Sequence, residues 1–209
     1  MKRIIIFALP MLFCLGCSED LEYLKDESLI NTEETRNAEM VDLGLSVKWS
    51  SSFIVDDSSY GSSVWSFGAS DYDLTREYSK GSYGSIAGTR FDHATAVNSA
   101  WRTPTKEEFE ELVEKCTFKI ENPSPTNRGI RITGPNGNSV FWGTGNTVQT
   151  ELAIWTSTFE IRYYHANAYY CKFILYDIRD EVEHEFKYED LYGNYSITYY
   201  HYICPVQNK

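Results

Sequence analysis

Cysteine and histidine are the side chains that most often act as nucleophiles or metal ligands, and this chain has five Cys and four His. Two of the cysteines lie near the start, which leaves Cys116, Cys171 and Cys204. No two of these three form a CxxC motif, and none has a His at metal-ligand spacing. Three thiols permit one disulfide with one thiol left over, and free Cys is readily buried in a core. The sequence therefore predicts no metal site and favours core packing for at least one of these cysteines.

The histidines and carboxylates form no recognisable catalytic motif. The four His are scattered, and Glu183-His184-Glu185 lacks the second His of a HExxH motif, which favours a solvated charged segment. Carboxylate pairs are frequent in a chain with 30 Asp and Glu, so they identify no acid–base pair. The chain has no GxSxG motif and no phosphate-binding loop. We therefore expect no catalytic residue, no cofactor and no enzymatic activity.

Aromatic residues with polar tips are the remaining candidates for ligand contact. Eleven of the sixteen tyrosines fall between residues 163 and 202. Tyr163, Tyr164 and Tyr192 flank predicted loops, and Trp65 lies in a long Ser- and Gly-rich stretch. Such rings offer a large rigid area at low entropic cost, which suits contact with sugars and with proteins. The alternative is that Tyr is simply a good strand residue and that Trp65 fills the core. These four residues are the candidate ligand contacts.

The first half of the chain is expected to hold helices. Apolar residues alternate over 41–49, which predicts one half-buried strand, and residues 50–88 predict long loops. Asp92 is placed to cap a short helix that runs from 93 to about 100. Thr105 opens a capping box with Glu108, and the apolar residues that follow at helical spacing are Phe109, Leu112, Val113 and Cys116. This is the clearest helix signal in the sequence.

The second half reads as strands. Alternation over 129–142 is interrupted by the turn residues Pro135-Asn136-Gly137-Asn138, which predicts a hairpin. Residues 153–159, 168–176 and 196–204 predict three further strands. Helices followed by strands predict the α+β class.

The first residues resemble an export signal. Met1-Lys2-Arg3 is positively charged, and the apolar run from Ile4 to Leu15 is too short for a bilayer core that needs about 20 residues. Cys14-Leu15-Gly16-Cys17 then resembles the lipobox of bacterial lipoproteins, although Cys14 stands where that motif usually has Leu. The resemblance implies cleavage of a signal peptide over 1–16 and lipid attachment at Cys17, with a plain secretory signal as the alternative.

An acidic segment follows the predicted lipid site. Ser18, Glu19 and Asp20 resemble the surface-export signal of Bacteroidetes lipoproteins, and residues 17–39 predict a flexible, acidic tether. These features predict a lipid anchor in the outer membrane and a domain that faces outside the cell. The formal net charge of −11 repels phosphate backbones, so we expect no nucleic-acid partner.

Several segments, in order, resemble the Fibrobacter succinogenes major paralogous domain family, which is common among surface lipoproteins of Bacteroidetes. They span residues 41–206 and read VDLGLSVKW, WRTPTKEEFEEL, GIRITGPNGNSVFW, IWTST and ICPV. The resemblance implies a domain over 40–209 with a fold similar to C-type lectins and formylglycine-generating enzymes. In such a fold the N- and C-terminal strands pair, and two helices flank a small antiparallel sheet that carries long loops.

Three segments depart from the family pattern. Cys204 stands where the family usually has Arg, Gly143-Thr144-Gly145-Asn146 replaces a segment like LPAAG, and residues 178–195 are longer and more acidic than is typical. The calcium-binding motifs of true C-type lectins are also absent. These departures concern the loop surfaces of the expected fold.

The resemblance leaves three functions open. The first is a non-catalytic binding or adhesion module for a glycan or a protein. The second is an enzyme or accessory protein related to formylglycine-generating enzymes, which would use Cys171 or Cys204, although no motif around either cysteine matches those enzymes. The third is a subunit of a surface complex with no free ligand of its own.

Overall fold

The computed structural model describes residues 38–54, 64–65, 67–124, 127–145, 151–176, 181–191 and 201–209. The predicted signal peptide, the lipid site Cys17, the export signal Ser18-Glu19-Asp20, most of the tether and Tyr192 lie outside these residues. Trp65 is described by its backbone alone. In the described residues, no helix is long and apolar enough to cross a membrane.

Three helices and twelve strands make up the described part of the chain. The helices are α1 (Asp71–Glu77), α2 (His93–Val97) and α3 (Lys106–Lys115). The strands are β1 (Met40–Asp42), β2 (Val47–Ser50), β3 (Val64–Trp65), β4 (Tyr83–Ser85), β5 (Thr117–Ser124), β6 (Asn127–Thr133), β7 (Ser139–Gly145), β8 (Glu151–Arg162), β9 (His165–Tyr176), β10 (Glu181–Asp190), β11 (His201–Tyr202) and β12 (Val206–Asn208).

The strands form three mostly antiparallel sheets. The first has the order β1-β2-β12, so the last strand pairs with the second strand rather than with the first, and the third is the meander β5-β6-β7. The second has the order β10-β9-β8-β11-β3, with β4 paired to β8. Only β11 and β8 run parallel among the pairs described. This arrangement confirms the α+β class.

The prediction of one strand over 41–49 is wrong, because the chain turns back on itself there. β1 and β2 pair antiparallel, with Met40 opposite Ser50. Gly44 lies in the turn with φ +81°, and its N–H donates to Oδ1 of Asp42 at 2.8 Å. Only glycine adopts this backbone readily. The apolar residues of the segment are nevertheless buried, since Leu43 and Leu45 are 0% and 3% exposed.

The prediction of long loops over residues 50–88 is wrong in part, because this range contains the short strand β3, the helix α1 and the strand β4. α1 begins at a capping box in which Ser70 accepts from the N–H of Asp73, and Asp73 accepts from the N–H of Ser70. β4 pairs with β8 farther along the same segment. A further strand, β10, occupies most of the acidic segment 178–195 and pairs with β9 over its whole length.

The other predicted elements are confirmed with changed bounds. Asp92 caps α2, which ends at Val97 rather than near residue 100. Thr105 and Glu108 form the predicted capping box of α3. β6 and β7 form the predicted hairpin around 134–138. The predicted strands over 153–159 and 168–176 lie inside β8 and β9, which are longer, and the last predicted strand is described only as β11.

The long β8–β9 hairpin separates two hydrophobic cores. The first core lies under α3 and includes Trp49, Phe109, Trp142 and Phe173, and the second lies beside α1 and includes Trp155. Successive side chains of a strand point to opposite faces of the sheet, so Ile154 is buried in the first core and the next residue, Trp155, in the second.

The segment Trp101-Arg102-Thr103-Pro104-Thr105 ties the parts of the fold together. The Arg102 backbone exchanges two hydrogen bonds with Val206 of β12, at 3.0 and 2.9 Å. The Pro104 carbonyl accepts from Ser157 N in β8 at 2.7 Å, while Thr105 caps α3. The Thr103 N–H and hydroxyl donate to the buried carboxylate of Asp92, at 3.0 and 2.6 Å. One short segment therefore joins β12, β8, α3 and the α2 cap.

We predict that Asp92→Ala lowers the free energy of unfolding by about 3–5 kcal/mol, because it leaves several buried donors without an acceptor. Thr103→Val removes one hydroxyl donor and should cost about 1–2 kcal/mol. Ser70→Ala is the matched control, since it removes a surface helix cap and should cost about 1 kcal/mol. Urea unfolding of the full chain measures all three, and equal losses for Asp92→Ala and Ser70→Ala would contradict the role given to Asp92.

Candidate functional site

In the described part of the chain, the exposed large hydrophobic side chains are all tyrosines. Their exposed fractions run from 50% to 79%, and the residues are Tyr72, Tyr83, Tyr163, Tyr164 and Tyr188. All five lie around the turn that joins β8 and β9, on β4, β10, α1 and the turn itself. We call these five residues the tyrosine surface.

The turn at the centre of the tyrosine surface has an unfavourable backbone. Arg162 pairs with His165, so Tyr163 and Tyr164 form a two-residue loop. Their φ angles are 47° and 77°. Positive φ at both positions is the geometry of a type I′ turn, where Asn-Gly is strongly preferred. A left-handed backbone costs a residue with a Cβ roughly 1–2 kcal/mol. The chain thus holds two large, exposed rings on a backbone that disfavours them.

A single cation lies over both rings of the turn. Nζ of Lys80 is 5.7 Å from the centre of the Tyr163 ring and 5.0 Å from that of Tyr164. The loop that carries Lys80 is fixed against β8, because Gly81 N donates to Ile161 O at 2.8 Å and Ile161 N donates to Ser82 O at 2.9 Å. The ammonium and the two rings are therefore held side by side.

A hydrogen-bond network supports the sheet face next to the turn. The Tyr169 hydroxyl donates to Oε2 of Glu160 at 2.8 Å, and Arg162 Nε donates to the same oxygen at 2.6 Å. The Tyr83 hydroxyl is hydrogen-bonded to that of Tyr169, and the two rings stack at 5.8 Å. The Arg162 guanidinium also lies 4.7 Å from the ring centre of Tyr188. These contacts place the exposed rings of Tyr83 and Tyr188 in defined positions.

The other side of the turn is anchored to α1. Oδ1 of Asp71 accepts from Ala166 N at 2.5 Å, and its Oδ2 lies 3.7 Å from Nδ1 of His165. Asp71 is the first residue of α1, so Tyr72 follows it directly at the edge of the tyrosine surface. The turn is thus supported on both sides by paired backbone.

The network shifts the pKa values of its members. Burial raises the pKa of Glu160, but hydrogen bonds from Tyr169 and Arg162 and the Arg162 charge outweigh it and hold that pKa below its usual value. Burial and the hydrogen bonds to Tyr83 and Glu160 raise the pKa of Tyr169. Glu160 is therefore ionised and paired with Arg162 at neutral pH.

The candidate contacts predicted from sequence do not all meet. Tyr163 and Tyr164 lie side by side at the most exposed point of the surface. The backbone of Trp65 lies elsewhere, because β3 pairs with β11, which pairs with β8 at Ile154, far along the strand from the turn. Tyr192 lies outside the described residues.

Sequence reasoning missed Lys80, Tyr83, Arg162 and Tyr188. Tyr188 had a readable signal, since apolar or aromatic residues alternate with charged ones through β10. Lys80 and Tyr83 come close to the turn only through the pairing of β4 and β8, which no local pattern indicates. Arg162 directly precedes Tyr163 in the sequence, but its contact with the Tyr188 ring depends on the pairing of β9 and β10.

The three cysteines that the structure describes, Cys116, Cys171 and Cys204, are free and buried, which confirms the core-packing prediction. Burial raises the pKa of Cys116 to about 11 and raises those of Cys171 and Cys204 well above the usual thiol value. A nucleophilic thiol needs the opposite shift. The described thiols are therefore protonated at neutral pH and give no support for thiolate chemistry.

Two other features of the described residues are less suited to bind a ligand. His201 and Glu189 approach to 4.0 Å, but their side chains are only 13% and 18% exposed, which leaves a substrate little access. A cavity of about 140 Å³ between α1 and residues 85–91 is smaller than the roughly 300–1,000 Å³ of ordinary ligand pockets. Across the described ranges, no group of three or more His, Cys, Asp or Glu could hold a metal ion.

Comparison with known protein families, with curated proteins and with solved structures finds no match for this chain. The tyrosine surface is therefore identified as the candidate site from its geometry alone.

We predict that Tyr163→Asn combined with Tyr164→Gly raises the free energy of unfolding by about 1–2 kcal/mol, because Asn-Gly fits a type I′ turn. Urea unfolding of the full chain measures the change. Tyr72→Asn, which alters an exposed tyrosine on α1, is the control and should give no gain. Destabilisation by the paired substitution would show that the two rings stabilise the fold.

We also predict that the stabilising effect of the Glu160 carboxylate depends on pH. The pKa of Glu160 is lower in the folded than in the unfolded chain, so its contribution is present above about pH 4.5 and is lost as the pH falls through the folded value. The stability difference between the wild type and Glu160→Gln should therefore be present at pH 7 and shrink below pH ~4.5. A difference that stays constant from pH 7 to pH 3 would contradict the network.

Proposed function

We propose that this chain is a lipoprotein of the outer membrane that faces outside the cell and binds a glycan or a protein ligand without catalysis. The observation that carries the proposal is the pair of exposed tyrosines in left-handed backbone at the β8–β9 turn. Strained backbone persists where the surrounding structure holds it, and it concentrates at sites that contact ligands. A turn that only joins two strands would favour Asn-Gly at these two positions.

The chemistry of the tyrosine surface suits recognition. Tyrosine combines a flat apolar ring with a hydroxyl, so it contacts a partner over a large area and also forms hydrogen bonds. The network of Glu160, Arg162 and Tyr169 fixes two of the rings before a ligand arrives, which reduces the entropy lost on binding. The surface is open rather than enclosed, as contact with an extended ligand requires.

The location in the proposal rests on the sequence. The short apolar run, the lipobox-like Cys14-Leu15-Gly16-Cys17 and the acidic residues after it support a lipid anchor and export to the surface. A tether over 17–39 would lift the domain from the membrane and leave the tyrosine surface accessible to a ligand.

We further propose that residues 40–209 have the C-type-lectin-like fold of the major paralogous domain family. The pairing of β2 with β12 supports this proposal. The described residues depart from the expected two helices and one small sheet, since they form three helices and three sheets. The family-like segments also stand at structural junctions. WRTPT joins four elements, and GPNGN forms the β6–β7 turn, where Asn136 and Asn138 each donate to the Asp42 carbonyl at 2.8 Å.

The binding proposal is tested by measuring adhesion of the full chain, purified in detergent, to arrays of glycans and of extracellular proteins. We expect a ligand that the wild type binds and that the variant Tyr163→Asn/Tyr164→Gly loses at least tenfold, since both rings leave while the fold is kept. The substitutions lie outside Trp155 and both cores, so the variant is expected to fold. A normal unfolding transition would exclude misfolding as the cause of lost binding. A variant that binds every ligand as the wild type does would overturn the proposal.

The location is tested by protease treatment of intact cells, followed by immunoblot. We expect the wild type to be cut, and a variant with neutral residues in place of Ser18, Glu19 and Asp20 to be protected until the cells are lysed. A wild type that is cut only after lysis would place the domain inside the envelope and contradict an adhesive role.

A further inference from the structure

We infer that the ligand of the turn is a glycan that carries carboxylates, with a sugar ring stacked on Tyr163 or Tyr164 and a carboxylate at the ammonium of Lys80. This inference rests on the proposed binding function and specifies its ligand. It follows from three features of the turn: the position of Lys80 over two rings with no carboxylate partner among the described residues, the area of the two rings and their exposure.

Lys80 is a cation without a carboxylate partner among the described residues, although acids predominate in the chain. Most cations near this end of the fold are paired. Arg162 binds Glu160, and Lys106 binds Glu110 on α3. Lys80 instead lies over two neutral rings, which leaves its charge available to an anion in the solvent. A carboxylate gains more from such a site than from one that an internal acid already neutralises.

The area of the two rings fits a short stretch of sugar, whereas a protein would also have to cover surface beyond them. An aromatic side chain can bury about 150–250 Å², so Tyr163 and Tyr164 together offer at most about 300–500 Å². A stable protein interface needs about 800 Å² from each partner. Two or three sugar residues, by contrast, are matched by two rings. One face of a pyranose is lined with C–H groups and lies flat on a phenol ring, while its edges keep their contact with water.

The negative charge of the whole chain restricts the ligand to a short stretch at the turn. Charges are screened over about 8 Å at physiological ionic strength, so distant acids have little effect at Lys80. Glu160, which precedes the turn on β8, is paired with Arg162, and Glu77 on α1 is paired with Arg90. The site therefore attracts an anion locally although the protein as a whole is acidic.

The test measures the affinity of the full chain in detergent for short oligomers of galacturonate, alginate and hyaluronate, each beside its methyl ester. Esterification keeps the sugar ring and removes the charge. We expect at least one oligomer to bind about five- to tenfold more tightly than its ester. Lys80→Gln should abolish that difference and Lys80→Arg should retain it. Lys119→Gln, which removes an exposed cation on β5, is the matched control and should change nothing.

The outcomes separate this inference from the proposed function. If an acid and its ester bind equally and both need the tyrosines, or if no oligomer binds while a protein ligand does so through the tyrosines, the inference is overturned and the binding function stands. If Lys80→Gln weakens acid and ester alike, Lys80 only positions the rings, and the inference is again overturned. If Tyr163→Asn/Tyr164→Gly changes no binding at all, both fail.

Discussion

A single buried carboxylate, that of Asp92, joins the loop before α2, the first turn of α2 and the segment before α3. It accepts from Gly88 N at 2.8 Å, from Ala94 N at 3.0 Å and from both the N–H and the hydroxyl of Thr103. Asp92 is 1% exposed, and Ala94 and Thr103 are also buried, so the donors of these two residues would otherwise be buried without a partner. Because Thr103 lies in the segment that pairs with β12 and leads into α3, the placement of the chain terminus and of the main helix depends on this carboxylate.

This internal anchoring leaves one end of the β8–β9 hairpin free to carry exposed side chains. The β8–β9 hairpin is packed between the two cores. β8 is also joined to the segment before α3, because Ser157 N donates a hydrogen bond to the Pro104 carbonyl. The second core reaches Ile161 and Ala166 on the two sides of the turn, so only the two-residue loop itself extends beyond the buried part of the hairpin. A turn that is not needed to hold the fold together can tolerate two tyrosines in left-handed backbone, since a cost of roughly 1–2 kcal/mol at each is small beside the burial of the two cores.

Local signals in the sequence were sufficient to predict the elements whose own ends carry capping or turn residues. The capping box of Thr105 and Glu108 indicates the start of α3, and Asn136-Gly137 indicates the β6–β7 turn. The strand over 41–49 was mispredicted because alternation persists through a turn that Asn136 and Asn138 hold from a distant hairpin. Likewise, Tyr163 and Tyr164 were found because they stand out by type, whereas Lys80 and Tyr83 join them only through the pairing of β4 with β8. The sequence pattern contained no information on how strands that are distant in the sequence pair with one another.

The most direct test of the central claim is site-specific photo-crosslinking on intact cells that express the full chain. A benzophenone amino acid would replace Tyr164, which keeps a large ring at the turn, and a second variant would carry it at Lys119 on β5. The account predicts a covalent adduct with a ligand at position 164 and none at 119. Adducts at 119 alone, or equal adducts at both positions, would contradict the claim that the tyrosine turn is where this protein meets its ligand.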